Sequence, residues 1–430
     1  MITTINNKHK KLNFSSEREQ SQACLNSAEH EKNQGRKVLN VPNLRFKEFQ
    51  GEWEKTKFGD IATGFDYGMN AAAKNYDGVN KYIRITDIDE ASSTYTDKDI
   101  VSPDGVLTDN YLVNNRDILL ARTGASTGKS YLYKKSDGKL YYAGFLIRAN
   151  VTTHDPYFVF SQLHTHRYWR WVSIMSARSG QPGINSQEYS SFPIYTTSIE
   201  EESKIAKLLS LLDERIATQS KIIEDLKRLK SAIINYAINS LDTDFAKFSS
   251  LYEMAGEGGT PTTSNASFYD NGKIPFIKID DLKQKYLIEN NDFITELGLQ
   301  KSSAWLVPTS SILFSNGATI GEITITTYPV CTKQGILGIV PKQNIDVEYL
   351  YYFMSSSYFK KAVSRIVTEG TMKTAYLKDI NNILCPIPTK EEQQEIAKIP
   401  SALNSKIDTE KSILKLFITQ KQHLLHQMFI

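Results

Sequence analysis

The feature that most constrains this 430-residue chain is an internal repeat at an offset of 191 residues. Residues 200–216 read EEESKIAKLLSLLDERI, and residues 391–407 read EEQQEIAKIPSALNSKI. Upstream, YIRITDI (82–88) matches FIKIDDL (276–282), and DILLARTGASTGK (117–129) matches SILFSNGATIGE (311–322). Solenoid repeats have periods of about 20–50 residues. The longer period here indicates a tandem duplication of a whole folded unit.

Each repeat combines two hydrophobic patterns. Short runs rich in Tyr, Ile, Val and Thr, bounded by Gly, Asn, Asp and Pro, predict strands and turns, with helical stretches at 156–175 and 346–367. The following forty or so residues have apolar positions three and four apart, which predicts a long amphipathic helix. The fold class is therefore α+β with an internal pseudo-twofold repeat. Its predicted parts are a polar tail at 1–40, a module at 41–196, a helix at 197–240, a module at 241–388 and a helix at 389–430.

The two long helices are predicted to pair as a coiled coil. About forty residues make a rod of roughly 60 Å, and the apolar stripe of one rod can be covered by the stripe of the other. Ser198 with Glu201, and Thr389 with Glu392, have the S/T-x-x-E form of a capping box, which marks both helix starts. The predicted seam consists of Leu212, Ile216, Ile223, Leu226, Ile233, Leu403, Ile407, Leu414, Phe417 and Leu424.

Polar residues interrupt this seam at matching places in the two copies. Gln219 aligns with Glu410, and Lys230 aligns with Lys421, as expected of positions that fix the register of a coiled coil. Pro400 lies inside the second helix, where a proline removes an amide and clashes with the preceding turn, so we expect a kink or a restart one residue later. The simpler alternative, in which each helix packs only on its own module, stays open.

Charge is distributed unevenly, in the same way in both copies. The balance of Lys and Arg against Asp and Glu is −6 over residues 49–115 and +6 over 116–190. It is −4 over 249–300 and +4 over 301–378. Each module therefore has an acidic first half and a basic second half, and a basic half is the electrostatic footprint expected of a nucleic-acid-binding face, although a solvated face that binds nothing has the same composition.

Composition and motifs exclude several classes of protein. A hydrophobic content of 40% and a charged content of 23% are those of a globular chain. Without an uncharged apolar run of about eighteen residues or a signal-peptide core, we expect no membrane span and a cytoplasmic location. Cys24, Cys331 and Cys385 are too far apart to predict a disulfide framework or a zinc site. Metalloprotease, α/β-hydrolase and amino-methyltransferase motifs are lacking in the sequence.

One segment imitates a nucleotide-binding loop. Gly124–Ser130 reads GASTGKS after an apolar strand, but it has three residues between the glycines where a P-loop has four. The second copy, Gly317–Glu322, has an acidic residue where the phosphate-binding lysine would stand. His164 and His166 have no carboxylate or thiol close in sequence, which favours a structural role over metal binding. We therefore predict no catalytic and no metal-binding residue.

In the basic half of each module, cations are interleaved with aromatic and small polar residues. Lys and Arg can neutralise phosphates, and Arg, Asn and Gln can form paired hydrogen bonds with base edges. The candidate DNA-binding residues are Arg84, Arg122, Ser126, Thr127, Lys129, Arg148, Arg178, Gln181, Asn185, Thr260, Lys278, Asn316, Thr319, Lys333, Gln334, Lys373 and Thr374.

From about Val41 onward the sequence resembles the DNA specificity subunits of type I restriction-modification systems. The resemblance is carried by GGTP (258–261) followed by GKIPFIKIDDL (272–282), by DILLARTGASTGK (117–129), by SGQPGIN (179–185), by the two helix openings, and by KQHLLHQMF (421–429). Each motif is weak alone. Their order, given twice, is specific.

The resemblance implies a non-catalytic subunit with two target-recognition domains, each reading one half of a split DNA site. It implies that the helices pair antiparallel, set the spacing between the halves and dock two modification subunits. The cofactors would lie elsewhere: S-adenosylmethionine in the modification subunits, and ATP and magnesium in the restriction and translocation subunits. Because the two modules differ in sequence, we expect an asymmetric target.

Two other function classes stay open. A coiled-coil scaffold that binds only proteins would have the same helices without DNA readout. An NTP-dependent enzyme would use Gly124–Ser130, which the mismatched spacing disfavours.

Overall fold

The computed structural model describes residues 39–90, 92–177, 182–317, 319–367 and 373–430. Its helices are α1 (Phe58–Ile61), α2 (Pro156–Gln162), α3 (His166–Ser176), α4 (Ser186–Ser190), α5 (Ile199–Asn239), α6 (Glu296–Gln300), α7 (Val347–Ser355), α8 (Ser357–Ile366), α9 (Leu377–Ile380) and α10 (Lys390–Met428). The strands up to α5 are β1 (Glu54–Lys57), β2 (Ala62–Tyr67), β3 (Ala72–Asn75), β4 (Lys81–Ile83), β5 (Val101–Asp104), β6 (Asp117–Ala121), β7 (Ser130–Leu132), β8 (Leu140–Tyr142), β9 (Leu146–Val151) and β10 (Pro193–Thr196). Those after α5 are β11 (Phe245–Lys247), β12 (Tyr252–Glu257), β13 (Ile274–Ile277), β14 (Tyr286–Leu287), β15 (Phe293–Ile294), β16 (Ile312–Ser315), β17 (Ile323–Thr326), β18 (Cys331–Thr332), β19 (Ile336–Pro341) and β20 (Leu384–Pro386).

The chain divides into two compact units. The first comprises Met1–Ser210 with Gln422–Ile430, and the second comprises Leu211–Lys421. Both divisions fall inside the long helices, so each unit contains a module together with parts of α5 and α10. The division at residues 40, 196, 240 and 388 stays a prediction, and nearly all of the predicted tail lies outside the described residues.

The two modules have corresponding sheets. In the first, the strand order is β2-β9-β6-β7, and all neighbours are antiparallel. In the second it is β12-β19-β16-β17, extended by β14, which runs parallel to β17. The central strands β6 and β16 are buried throughout, as uninterrupted apolar runs predict. A two-stranded pair closes each module, β1 with β10 and β11 with β20.

The predicted helical stretches are each divided in two. Residues 156–175 form α2 and α3, and residues 346–367 form α7 and α8. Thr165 caps α3 by accepting a hydrogen bond from the Tyr168 amide, and Ser356 caps α8 in the same way from Phe359. The break follows from these caps, since a side chain that takes an amide of the new helix replaces the bond of a continuing one.

The long helices match their predicted limits closely, and a heptad stripe runs along each of them. On α5, Leu212, Gln219 and Ile223 are buried, while Ile216, Leu226 and Ile233 are half-buried. On α10, Ile407 and Glu410 are buried, while Leu403, Leu414 and Phe417 are half-buried. Leu424, the last predicted seam residue, packs on the core of the first unit together with Leu425.

Contacts between α5 and α10 within the second unit run antiparallel. The Lys421 ammonium lies 2.6 Å from the Asp213 carboxylate, and Lys230 Nζ donates to Asn404 Oδ1 at 2.8 Å. Gln219 Nε2 donates to the carbonyl of Glu410 at 3.2 Å and also to its carboxylate.

The Lys421–Asp213 and Lys230–Asn404 contacts are equivalent in the two repeats. At the offset of 191 residues, Asp213 corresponds to Asn404 and Lys230 corresponds to Lys421. Gln219 and Glu410 correspond to each other and therefore lie at the centre of the pseudo-twofold relation. Of the polar positions predicted to fix the register, Gln219 contacts Glu410, while Lys230 and Lys421 each contact another residue of the opposite helix. These contacts contradict the alternative in which each helix packs only on its own module.

The start of α5 and the course of α10 at Pro400 differ from the sequence prediction, whereas the start of α10 agrees with it. Thr389 and Glu392 form the complete capping box, with each side chain accepting from the other's amide. Ser198 accepts from the Glu201 amide, but the Glu201 carboxylate bonds instead to Arg45 Nε at 2.7 Å and to the Thr197 hydroxyl. The α10 helix continues through Pro400 without restarting, so the expected restart is wrong.

Candidate nucleic-acid interface

The predicted DNA-binding cations fall into two groups according to their partners. Arg84 bonds to the Asp87 carboxylate at 2.8 and 2.9 Å and to Asp99 at 3.0 Å. The hydrogen bond with Asp87 raises the pKa of Arg84 above its ordinary value. A guanidinium held in this way has to give up its carboxylates before it can neutralise a phosphate.

Three further candidates are also held by acidic side chains. Lys129 lies 3.3 Å from Glu90, Arg148 lies 3.1 Å from Asp66, and Lys278 lies 2.8 Å from Asp292. Each of these carboxylates is at least 40% exposed, so the pairs contribute little stability, and exchange for a phosphate costs little.

Arg122, Lys333 and Lys373 form the other group. Within the described parts of the chain they make no ion pair, and Lys333 and Lys373 are exposed. The Arg122 guanidinium lies 4.6 Å from the centre of the Tyr67 ring, within the range of a cation–π contact. These three cations are the ones most directly available to a nucleic-acid backbone or base edge.

Several polar candidates are already used within the fold. The Thr127 side chain is buried and donates to the Gly124 carbonyl at 2.8 Å, and Asn185 caps α4 by accepting from the Glu188 amide at 2.9 Å. Thr260 Oγ1 accepts from the Gln334 amide at 3.3 Å. Asn316 is 1% exposed and donates to the Ala375 carbonyl at 3.2 Å. All four side chains bond within the fold; Thr127 and Asn316 are buried, Thr260 is half-buried and Asn185 is exposed.

The remaining candidates divide by position. Ser126 ends a short 3-10 turn at Gly124–Ser126, and its carbonyl accepts from the Lys129 amide. Thr319 and Gln334 are exposed, and Thr374 is half-buried. Arg178 and Gln181 lie outside the described residues.

The loop that imitates a P-loop uses its amides internally. The amides of Gly124 and Gly128 donate to the carbonyls of Pro182 and Ala121, and those of Thr127 and Lys129 donate to Gly124 and Ser126. A phosphate cradle needs free amides at these positions. This hydrogen bonding argues against nucleotide binding more strongly than the sequence spacing does.

The sequence prediction favoured a structural role over metal binding for His164. His164 Nδ1 lies 2.9 Å from the Phe160 carbonyl and Nε2 lies 3.0 Å from the Ser93 hydroxyl, so the ring is held by protein groups on both sides. Within the described residues, no group of three or more His, Cys, Asp or Glu side chains is arranged to hold a metal ion.

In each module, the structure brings one predicted candidate together with residues from distant parts of the sequence. In the first module, the Arg122 amide donates to the Phe145 carbonyl at 3.1 Å, and the Arg122 carbonyl accepts from the Ile184 amide at 2.9 Å. Tyr67 completes this place through its contact with the Arg122 guanidinium and by accepting from the Ser186 amide at 3.3 Å. We call the set Tyr67, Arg122, Phe145 and Ile184 the first corner.

The second module has the same arrangement with different side chains. The Asn316 amide donates to the Gly335 carbonyl at 3.0 Å, and the Asn316 carbonyl accepts from the Ala375 amide at 2.9 Å. The Gly335 amide donates to the Glu257 carboxylate at 2.9 Å. We call the set Glu257, Asn316, Gly335 and Ala375 the second corner.

Sequence reasoning found Arg122 and Asn316 but missed Tyr67, Phe145 and Glu257. The missing signal was the strand alignment. Tyr67 is paired with Ile147 in the first sheet as Glu257 is paired with Leu337 in the second. An alignment of the two copies through these strands would have placed Tyr67 opposite Glu257 and Phe145 opposite Gly335.

The chain contains two copies of an α+β module, and a long helix follows each copy. The copies share equivalent backbone hydrogen bonds but carry different side chains. This architecture defines a class of two-module proteins in which each module can recognise a different target. The model of the type I restriction modification DNA specificity domain matches the chain twice, over residues 50–228 and 243–416. The chain belongs to this family.

Individual relatives match different lengths of the chain. The putative type I restriction enzyme MjaX specificity subunit of Methanocaldococcus jannaschii is 24% identical over 90% of this chain and 97% of its own length. The MjaIX specificity subunit of the same organism is 33% identical over 40% of each chain. The crystal structure of a type I S subunit from M. genitalium covers 91% of this chain and 99% of its own, with a TM-score of 0.56 at 16% identity, which shows a shared fold.

Proposed function

We propose that this chain is the DNA specificity subunit of a type I restriction-modification complex. Each module would read one half of an asymmetric bipartite site in double-stranded DNA. The observation that carries the proposal is the repeated pair of corners, in which equivalent backbone hydrogen bonds hold Arg122 against the Tyr67 ring in one module and a buried Asn316 in the other, where Glu257 is the exposed side chain. Two modules with the same backbone arrangement and different side chains are suited to two half-sites of different sequence.

The proposed chain is a recognition subunit without a catalytic step of its own. Methylation would take place in two modification subunits that hold S-adenosylmethionine, and cleavage would need restriction and translocation subunits that use ATP and magnesium. The cofactors belong to these partners in the proposal. The expected location is the cytoplasm, and among the described residues no helix is apolar over a length that could cross a membrane.

The outward faces of the long helices support docking of the modification subunits. On α5, Leu211, Ile222, Leu229 and Tyr236 are exposed and recur at intervals of 11, 7 and 7 residues, which places them along one side of the helix. Tyr236 is 77% exposed. An apolar stripe that the described residues leave exposed is typical of a surface that a partner covers.

Replacement of one module tests modular readout. The complex of this chain with its modification subunits is assembled with residues 41–196 exchanged for the corresponding part of a relative, and the methylated sequence is read from the genome of the host. We expect only one half of the site to change. A change in both halves would contradict one module for each half.

A second experiment tests whether the helices set the spacing. Insertion of about one helical turn, four residues, after Ile216 lengthens α5 by roughly 6 Å. We expect the number of unspecified bases between the halves to change while both half sequences stay the same. An unchanged spacing would contradict this role of the helices.

A salt titration separates the proposal from a scaffold that binds only proteins. The logarithm of DNA affinity should fall linearly with the logarithm of salt concentration, because each neutralised phosphate releases counterions. A scaffold without DNA readout would show no such slope.

A further inference from the structure

The first corner is rigidly constructed around an exposed aromatic ring. Phe145 lies in a tight turn between β8 and β9, in which the Leu146 amide donates to the Ala143 carbonyl at 2.8 Å and the Gly144 amide donates to the Met69 carbonyl at 2.8 Å. The Phe145 carbonyl is also bonded, to the Arg122 amide. The backbone of this turn is therefore fixed, while the phenyl ring is 62% exposed.

Burial of a phenylalanine side chain is stabilising, so an exposed ring on a fixed turn lacks the stability that packing would supply. Next to it, the Arg122 guanidinium donates to the Gly144 carbonyl at 3.4 Å and lies over the Tyr67 ring. A guanidinium stacked on an aromatic face loses less rotamer freedom when its fork binds a planar acceptor. Ring and cation thus form one preorganised surface.

The second corner carries no equivalent of this ring. Gly335, at φ +88°, stands at the position of Phe145, and Asn316 stands at the position of Arg122. The Glu257 carboxylate, at the position of Tyr67, is occupied by the Gly335 amide. The two corners therefore differ at this position, where the first carries the Phe145 ring and the second carries Gly335.

We propose that Phe145 contacts DNA bases directly, by inserting at a base step or stacking on an unstacked base, and that Arg122 reads a neighbouring guanine with its guanidinium fork. This inference rests on the proposed function and specifies how one of the two half-sites is read. Apolar wedges unstack base steps, and Arg forms bidentate bonds with guanine. The DNA is deformed in the half-site read by the first module, and the other half-site is read without a wedge.

The test uses the complex with its modification subunits and a duplex of the site found by methylome sequencing. 2-Aminopurine, an adenine analogue, replaces in turn each adenine on either strand of both halves, except the adenine that is methylated. Because this analogue fluoresces when it is unstacked, binding of the wild type should raise the fluorescence at one step of the first half only.

The Phe145→Gly substitution installs the side chain of the second corner. We expect it to abolish the fluorescence rise and to lower the affinity for the site by about tenfold to a hundredfold, the range for loss of one stacked base. Val106→Ala, which alters another exposed apolar residue of the same module, should change neither measurement.

The Arg122→Lys substitution tests the proposed guanine contact. It keeps the charge but loses the bidentate fork, so the methylome should show relaxed recognition at one position of the first half. Lys139→Met removes an exposed cation that also lies over a tyrosine ring, Tyr141, and should leave the sequence unchanged.

The outcomes separate this inference from the proposed function. A bipartite methylated site that neither substitution alters, with no fluorescence rise in the wild type, would overturn the inference and leave the function intact. Absence of any bipartite site would overturn the function itself. If Phe145→Gly prevents assembly with the modification subunits, then the ring is a protein contact and the inference is wrong.

Discussion

A buried hydrogen-bonding site near the start of α5 leads to a quantitative prediction. The Glu202 side chain is fully buried, and its carboxylate accepts from the Asp155 amide at 2.9 Å and from the Thr197 amide at 3.2 Å. His154 Nδ1 lies 2.9 Å from the same carboxylate. Burial raises the pKa of Glu202.

The corresponding site at the start of α10 uses an amide side chain. Gln393 Oε1 accepts from the Asp346 amide at 2.7 Å, as Glu202 accepts from Asp155. Gln393 Nε2 donates to the carbonyls of Pro388 at 2.8 Å and Asn344 at 3.2 Å. Proline has no amide hydrogen, so residue 388 offers only an acceptor where Thr197 offers a donor.

The side chain and the backbone therefore match in each copy. If Glu202→Gln is made alone, the new amide group faces the Thr197 N–H, and two donors meet without an acceptor. A buried donor without a partner costs about 1–3 kcal/mol. Glu202→Gln also removes a charge whose burial is unfavourable, and this gain in stability offsets part of the cost. The stability of the single variant therefore does not measure the donor–acceptor match between residues 197 and 202.

Thr197→Pro removes the opposing donor and leaves the carbonyl as an acceptor, as Pro388 does. Thr196 ends strand β10 in an extended conformation, which suits the residue before a proline. The substitution also removes the hydroxyl bond to Glu201, but this loss occurs with either side chain at position 202 and cancels in a double-mutant cycle. We expect the cycle to give a stabilising coupling of about 1–3 kcal/mol.

The assay is denaturant unfolding followed by tryptophan fluorescence, since three of the four tryptophans, Trp53, Trp169 and Trp171, belong to the first unit. The four chains of the cycle are measured at one pH and one salt concentration. Additive effects, with a coupling below about 0.5 kcal/mol, would show that the two copies do not obey this donor–acceptor match.

Three other predictions concern stability. Because the pKa of Glu202 is raised in the folded state, the contribution of Glu202 to the free energy of unfolding falls as pH rises from about 4.3 through the folded-state pKa. Denaturant unfolding at a series of pH values should show this fall for the wild type and not for Glu202→Gln. Lys285 is buried and lies 2.8 Å from the Glu348 carboxylate. Lys285→Met should therefore lower the unfolding free energy of the second unit by about 2–3 kcal/mol, a value reduced to allow for the partial exposure of Glu348. Lys283 is exposed, and Lys283→Met should leave the unfolding free energy unchanged. Phe429 is buried against the rings of Phe158 and Trp53, whose centres lie 5.4 and 6.1 Å from its own. Phe429→Ala should therefore destabilise the first unit by about 3–5 kcal/mol. An unchanged midpoint of thermal unfolding would contradict the place of Phe429 in the core.

The fold was predictable where periodicity and repetition act locally. The offset of 191 residues and the spacing of apolar residues predicted both helices and the equivalent polar positions Gln219 and Glu410, and the structure adds that these two residues contact each other. Continuation of α10 through Pro400 was not predictable, because the intrinsic cost of proline is set against the packing of the whole helix.

The candidate site was predictable only in part. Composition indicated the basic half of each module, but it could not show that Arg84 is held by Asp87 and Asp99 or that Thr127 is buried. Ion pairs and burial depend on which loops the fold brings together. Phe145 escaped notice because an apolar residue next to a strand is normally part of the core, and only the structure shows that its ring is exposed.

The contact at the centre of the seam indicates what fusion of the two repeats makes possible. In a symmetric dimer of identical chains, the residue at this position would meet its own copy, and two buried glutamates would repel each other. Here Gln219 donates to Glu410, a complementary pair that requires the two positions to differ. The same freedom lets Thr197 and Glu202 diverge from Pro388 and Gln393. Because joined repeats can differ at every equivalent position while they keep one backbone frame, the two corners can differ as well, and the proposed asymmetry of the DNA site needs only the duplication and no second fold.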